Sequence, residues 1–313
     1  MNYQHNHQSF FHFAAAMLLS VVILTGCAPQ KREPIKVLPE SKSAAETLSI
    51  LRSRSQNVGP LRAHGRCLWQ YRSNGKPRRE DFAVKLWVNP VRSYRQEGTD
   101  IGSFTSNRVN PPAEIYMQGD VGFNAKGIVL GSNESEFWML IKPKVSSYSW
   151  GKWSEQGSSM SLTNISRTLV EALGIVEVFD EESWSLSNEG AFDVLARRND
   201  NDQIIKKIYV GNYDYLVRRV AYFDADGKAV AVVELDKYKE VSREFFVPTR
   251  ISIIIRGGEG GDDAASIALN LNSVKPTSFT EEQRNHFFNR PPRTKGYKHI
   301  YRIIDGRMIE LQE

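Results

Sequence analysis

Five β-rich runs follow one another between Ile204 and Leu271: Ile204–Val210, Leu216–Phe223, Ala229–Tyr238, Phe245–Arg256 and Ala264–Leu271. No stretch of helical period separates them, so no βαβ crossover fits and successive strands must pair antiparallel. Asn212-Tyr213-Asp214 and Asp224-Ala225-Asp226-Gly227 supply hairpin turns between the first three. In the last run Ala265, Ile267, Leu269 and Leu271 alternate with Ser266, Ala268, Asn270 and Asn272, which puts one face on a core and the other in water.

Further strands are expected upstream. Leu61–Arg72 ends at a Ser73-Asn74-Gly75 turn. Phe82, Val84, Leu86 and Val88 then share one face, with Lys85 and Trp87 on the other. A polar strand at Ser93–Glu97 leads into an irregular loop over 98–112, and short apolar runs follow at Ile115–Met117 and Gly127–Leu130. In the next strand Phe137, Met139 and Ile141 share one face and Trp138 and Leu140 the other. Both faces are apolar, so both must be covered. Helical spacing predicts an amphipathic helix from Ala44 to about Arg54, ending near Asn57–Pro60, and a second helix from about Asn164 to Leu173. Thr280-Glu281-Glu282-Gln283 has the form of a capping box opening a third. A last hairpin turns at Asp305-Gly306. The sum, about ten or eleven strands and three short helices, is a mainly β chain whose large antiparallel sheet must curve.

The N-terminus has a different character. The apolar run Phe13–Leu24 fits a signal-peptide core and is too short to span a bilayer. Leu24-Thr25-Gly26-Cys27 follows it and resembles the lipobox of bacterial lipoproteins, which makes Cys27 the lipid-modified first residue of the mature chain. The expected organisation is a signal peptide over 1–26, a lipidated N-terminus and tether over 27–43, and one β domain over 44–313. Pro34, Pro39 and several charged residues leave the tether little to bury.

Charge and motif content narrow the function. The net charge of +5 is modest and interspersed with acids, unlike the dense basic stripe of a nucleic-acid binder. With Cys27 acylated, Cys67 stands alone, so stability must come from a packed core; in its strand-like setting Cys67 reads as a small buried hydrophobe. His64, His286 and His299 lie far apart, outside metal-ligand spacing. Asp224–Gly227 reads as a turn, Gly257–Asp263 as a strand connector, and Glu134 and Glu136 as solvated edge residues. No catalytic group and no metal site are expected. The aromatic and apolar side chains Trp69, Trp87, Phe137, Met139, Ile141 and Trp150 are the candidates to line a ligand cavity on the concave side.

The helix and first strand over Leu48–Tyr71, the run Phe82–Pro90, the stretch Gly131–Pro143 and the lipobox together resemble the LolA/LolB superfamily of outer-membrane lipoprotein-sorting proteins. That resemblance implies an unclosed β half-barrel capped by helices on its concave side. It also implies a cavity that holds lipid or lipoprotein acyl chains and a place in lipoprotein sorting or envelope biogenesis. A lipid anchor is similar to LolB, and Ala28 after the cysteine to a chain destined for the outer membrane, facing the periplasm. No cofactor is implied beyond the covalent diacylglycerol and N-acyl lipid on Cys27. The expected partners are membrane lipid, acyl chains or another envelope protein. The alternative reading is a non-catalytic structural lipoprotein that docks a partner protein at the envelope.

Overall fold

The computed structural model describes residues 43–73, 76–90, 114–122, 124–142, 145–155, 168–169, 172–173, 184–256, 263–292 and 296–311, all within the compact unit Val37–Glu313. The expected signal segment and Cys27 lie outside them, as do the expected tether apart from Ser43, the strand expected at 93–97 and the loop expected over 98–112.

Helix α1 (Ala44–Gln56) is opened by a capping box. Ser43 Oγ accepts from the Glu46 N–H at 3.2 Å, and the Glu46 carboxylate accepts from the Ser43 N–H at 2.8 Å. Leu48 and Leu51 then fall on one face and are buried. The strands are β1 (Leu61–Ser73), β2 (Lys76–Asn89), β3 (Glu114–Val121), β4 (Asn124–Ser132), β5 (Glu136–Ile141), β6 (Ser147–Lys152), β7 (Trp184–Glu189), β8 (Phe192–Arg198), β9 (Ile204–Gly211), β10 (Val217–Phe223), β11 (Ala229–Ser242), β12 (Phe245–Arg256), β13 (Asp263–Pro276), β14 (His299–Ile304) and β15 (Arg307–Glu310). Helix α2 (Glu281–Phe288) has the foreseen box: Thr280 Oγ1 accepts from the Gln283 N–H, and Gln283 Oε1 from the Thr280 N–H.

Among the described residues all strands form one sheet of 15, in the order β15-β14-β6-β5-β4-β3-β2-β1-β13-β12-β11-β10-β9-β8-β7. It is curved and open, as expected. Two antiparallel meanders, β1 to β6 and β7 to β13, join at the β1–β13 seam.

Three expectations need correction. The strand number exceeds the expected ten or eleven because β6, β7 and β8 are rich in Ser, Asn and charged residues and carry no clean apolar alternation. The sheet is not antiparallel throughout, since β14 pairs parallel to β6. This follows from the path of residues 277–298, which leave β13 and return along the far side of the first meander. Of the helix expected at 164–173, Thr168, Leu169 and Ala172 are helical and the remainder lies mainly outside the described residues. The final hairpin forms as expected, with positive φ at both Asp305 and Gly306, the type I′ geometry that matches strand twist.

Each face of the sheet has its own apolar layer. On the concave face one cluster runs from Ile141 and Leu130 through Leu86, Cys67, Leu269 and Ile251 to Ile208 and Leu195, under Leu48 and Leu51 of α1 and Leu169, Ala172 and Leu173. On the outer face of the first meander Tyr116, Val129, Trp138, Leu140 and Tyr148 are roofed by Phe288 and Ile300. This second layer answers the apolar pattern on both faces of β5. The concave side takes Met139 and Ile141, and the C-terminal segment covers Trp138 and Leu140.

Candidate functional site

Strand register assembles the concave face. Leu235, Ile251, Leu269, Cys67 and Phe82 stand opposite one another across five strands. A second row runs Leu271, Gly65, Val84, Gly119, Ile128 and Ile141. With a period of two, every second residue of each strand joins this surface, and nearly all are aliphatic or aromatic. Gly119 is required here: a Cβ on it would stand 2.3 Å from the Phe82 ring, so the ring lies over bare backbone.

Polar contacts pin the end of α1 at the mouth of this face. Arg54 Nη1 donates to the Tyr215 carbonyl at 2.6 Å, and its guanidinium lies 5.6 Å from the centre of the Phe246 ring. Tyr238 donates to the Val217 carbonyl, and Arg218, ion-paired with Asp214, lies 5.3 Å above the Tyr238 ring. Burial lowers the Arg54 pKa and raises that of Tyr238, in each case by disfavouring the charged form. Between α1 and β10–β12 a pocket of about 30 Å³, lined by Leu51, Arg54, Val58, Val217, Tyr238 and Phe245, has room for one or two waters but not for an acyl chain.

The six cavity candidates do not share a face, and the expectation that they line one cavity needs correction. Trp69, Met139 and Ile141 belong to the concave layer, Trp69 stacked on Tyr71 at 4.6 Å. Phe137 has the same phase on β5, but it packs at the end of the sheet against Trp153, 4.6 Å away, and Ile303. Trp87 and Trp150 face outward. Trp87 stacks on Phe287 of α2 at 4.6 Å, and Trp150 lies under Arg290 at 4.2 Å and Arg302 at 5.3 Å. Strand phase dictates this: Trp87 stands between Leu86 and Val88, and Trp150 pairs directly with the outward Trp138. Residues at the middle of the concave face, such as Ile251, Ile253, Ile267 and Leu269, carry only the alternation that marks a strand.

The candidate groups for chemistry are either paired locally or exposed. Glu136 accepts from Arg290 at 2.9 Å, and Glu134 is exposed. Asp224 accepts from the backbone N–H groups of Asp226 and Lys228 within its own turn. His64 and His286 are exposed, and His299 meets Glu310 at 2.8 Å across the last hairpin, both about half exposed. Among the described residues no group of three or more His, Cys, Asp or Glu is placed to hold a metal ion. Burial pushes the Cys67 thiol up to about 12. Its thiolate should therefore be about a thousandfold scarcer than at the ordinary value of 9.0. Iodoacetamide should label it only after unfolding in denaturant, which mass spectrometry of timed samples would measure.

The sequence matches no family model and none of the curated proteins, but the fold has relatives among solved structures. A domain assigned to outer membrane lipoprotein sorting from Vibrio parahaemolyticus aligns with a TM-score of 0.51 at 12% identity, over 78% of this chain and 97% of that one. A DUF1329 family protein from Desulfovibrio piger aligns with a TM-score of 0.46 at 11% identity, over 79% of this chain and 98% of that one. A LolA superfamily protein from Nitrosomonas europaea gives 0.45 at 10% identity, over 80% and 99%. Taken with the curved open sheet, the first of these shows that the chain shares the fold of that lipoprotein-sorting domain.

Proposed function

We propose that this protein is an envelope lipoprotein, anchored through acylated Cys27, whose concave sheet face receives the acyl chains of a lipid or lipoprotein during outer-membrane lipoprotein sorting. The carrying observation is the continuous apolar concave face, covered among the described residues by α1 through Leu48 and Leu51 and by Leu169, Ala172 and Leu173, rather than by a second sheet. Withdrawing two leucines costs about 4 kcal/mol, while burying acyl chain returns ~0.8 kcal/mol per methylene, so about five methylenes offset the displacement. Thr47 Oγ1 on α1 and Trp69 Nε1 on β1 are buried without hydrogen-bond partners and would suit an ester or carboxyl oxygen. The role is one of binding and not of catalysis.

The test is a fluorescent fatty-acid probe titrated into the full chain, followed by competition with phospholipid. Saturable binding that a Leu48→Ala/Leu51→Ala variant strengthens is expected, because a loosened α1 yields the face more easily. No binding at any probe concentration would defeat the proposal. Radiolabelled palmitate should enter the wild-type chain in cells and fail to enter Cys27→Ser.

The second reading is a lipoprotein that docks a partner protein without carrying lipid. The close side-chain packing beneath α1 favours it. Stoichiometric capture of one envelope protein, together with a silent probe titration, would support it over the first.

A further inference from the structure

The strands of the first meander alternate in direction, so the β1–β2, β3–β4 and β5–β6 connections all fall on one rim of the sheet. That rim is basic. The first hairpin presents Arg72, Lys76, Arg78 and Arg79, the second Lys126 and the third Lys142, all exposed. Three acids stand among them. Asp81 pairs with Arg66 at 2.9 Å, Asp120 accepts from the Lys126 N–H at 2.9 Å, and Glu80 lies on β2 opposite Trp69. On the opposite rim Arg284, Arg290 and Arg302 are each paired with a glutamate, and the exposed Arg62, Lys152 and Lys275 are balanced by the exposed Glu134, Glu281 and Glu282. The wing is therefore polarised from one rim to the other.

The first hairpin also projects. The β2–β3 ladder ends at Ala83↔Asp120 and the β1–β13 ladder at Tyr71↔Ala265. From Lys76 to Phe82, β2 has only β1 as strand partner among the described residues, an uncovered edge of about 20 Å at ~3.3 Å per residue, and beyond Tyr71↔Arg78 the hairpin is a two-stranded ribbon. Register puts Lys76 and Arg78 on one face of this ribbon, with Tyr71, and Arg72 and Arg79 on the other.

We infer that this rim docks the domain onto an anionic lipid bilayer, the β1–β2 ribbon reaching the headgroup phosphates. Charge complementarity selects that occupant. The cations are spread over three tips and both faces of a ribbon, which suits a diffuse plane of negative charge. A nucleic-acid strand would want a groove, and an acidic protein an apolar centre within the patch. The 15 residues from Ala28 to Lys42, extended, would reach about 50 Å, enough for a chain acylated at Cys27 to bring the rim to the same membrane. The inference is independent of what the concave face holds.

The test compares partition of the full chain onto phosphatidylcholine vesicles and onto vesicles with about 30% phosphatidylglycerol, by co-sedimentation at low salt. Residues 1–30 contain no Asp, Glu, Lys or Arg, and what their terminal amine and three histidines add is common to the wild type and every variant, so it cancels when ratios are compared between them. Each basic residue that reaches an anionic surface contributes about fivefold, so a wild-type ratio of at least about tenfold, collapsing at high salt, is expected. Lys76→Glu/Arg78→Glu/Arg79→Glu should bring the ratio close to one, and the milder Arg78→Gln/Arg79→Gln should lower it by at least half. Lys237→Glu/Lys239→Glu/Arg243→Glu, with the same change in net charge on the β11–β12 hairpin, should keep it. A wild-type ratio near one, or equal losses in the two triple variants, would overturn the inference. So would a rim variant that keeps its lipid ratio but loses binding to poly-glutamate, since that would assign the rim to an acidic protein.

Discussion

Trp138→Ala should lower the free energy of unfolding by about 3–5 kcal/mol. Trp138 is fully buried at the centre of the outer layer and pairs across the strands with Trp150 on one side and Gly131 on the other. A Cβ on Gly131 would lie 2.4 Å from the indole, so the ring occupies the space a side chain there would fill. Removing it leaves a void that a strand held on both sides cannot close. The loss should appear as a lower urea midpoint with an unchanged slope. Trp87→Ala, at a half-buried position against Phe287, should cost under about 2 kcal/mol. If the two variants were equally destabilised, the outer layer would not be a second core.

Gly65→Ala should be as damaging, by about 3 kcal/mol or more. Gly65 sits at the bulge where β1 shifts register against β13, and a Cβ there would meet the Asn270 carbonyl oxygen at 2.0 Å and Leu271 Cα at 2.9 Å. Both obstacles are backbone in a paired strand, so no side chain can swing aside. The added methyl must push the β1–β13 seam apart, and this is the junction of the two meanders. Thermal melting by circular dichroism and limited proteolysis would read the effect, with early cleavage expected between the meanders. A variant as stable as wild type would mean that the seam is looser than its register indicates.

The strand content of β9 to β13 was legible because alternation there is clean and the turns carry Asn, Asp and Gly. Strands β6 to β8 were not, since Ser147-Tyr148-Ser149-Trp150-Gly151-Lys152 and Trp184–Glu189 are polar enough to read as loop. What hides them is tertiary: Ser147 and Ser149 are buried because their neighbours on β5 are Ile141 and Met139. The candidate site was legible in kind but not in membership. Alternation told that Trp138 and Leu140 oppose Phe137, Met139 and Ile141. No local signal could tell that residues 277–300 return to cover the first set. Trp87 and Trp150 were assigned to the concavity because aromatics in a curved sheet suggest a lining, yet their phase already set them on the other side. The capping box of α1 is written in Ser43 and Glu46, three residues apart ahead of the apolar Leu48 and Leu51.

Leu61 finds its partner in Pro276, about two hundred residues later. Synthesis from the N-terminus therefore exposes one raw border of the first meander until nearly the whole chain is available. Throughout that interval β1 offers unpaired amides and carbonyls to any extended strand nearby, including that of a sister molecule. Assembly of the finished sheet becomes a late, all-or-nothing closure, and a shortened chain ending before Asp263 should be shunted into aggregates instead of settling as half a protein.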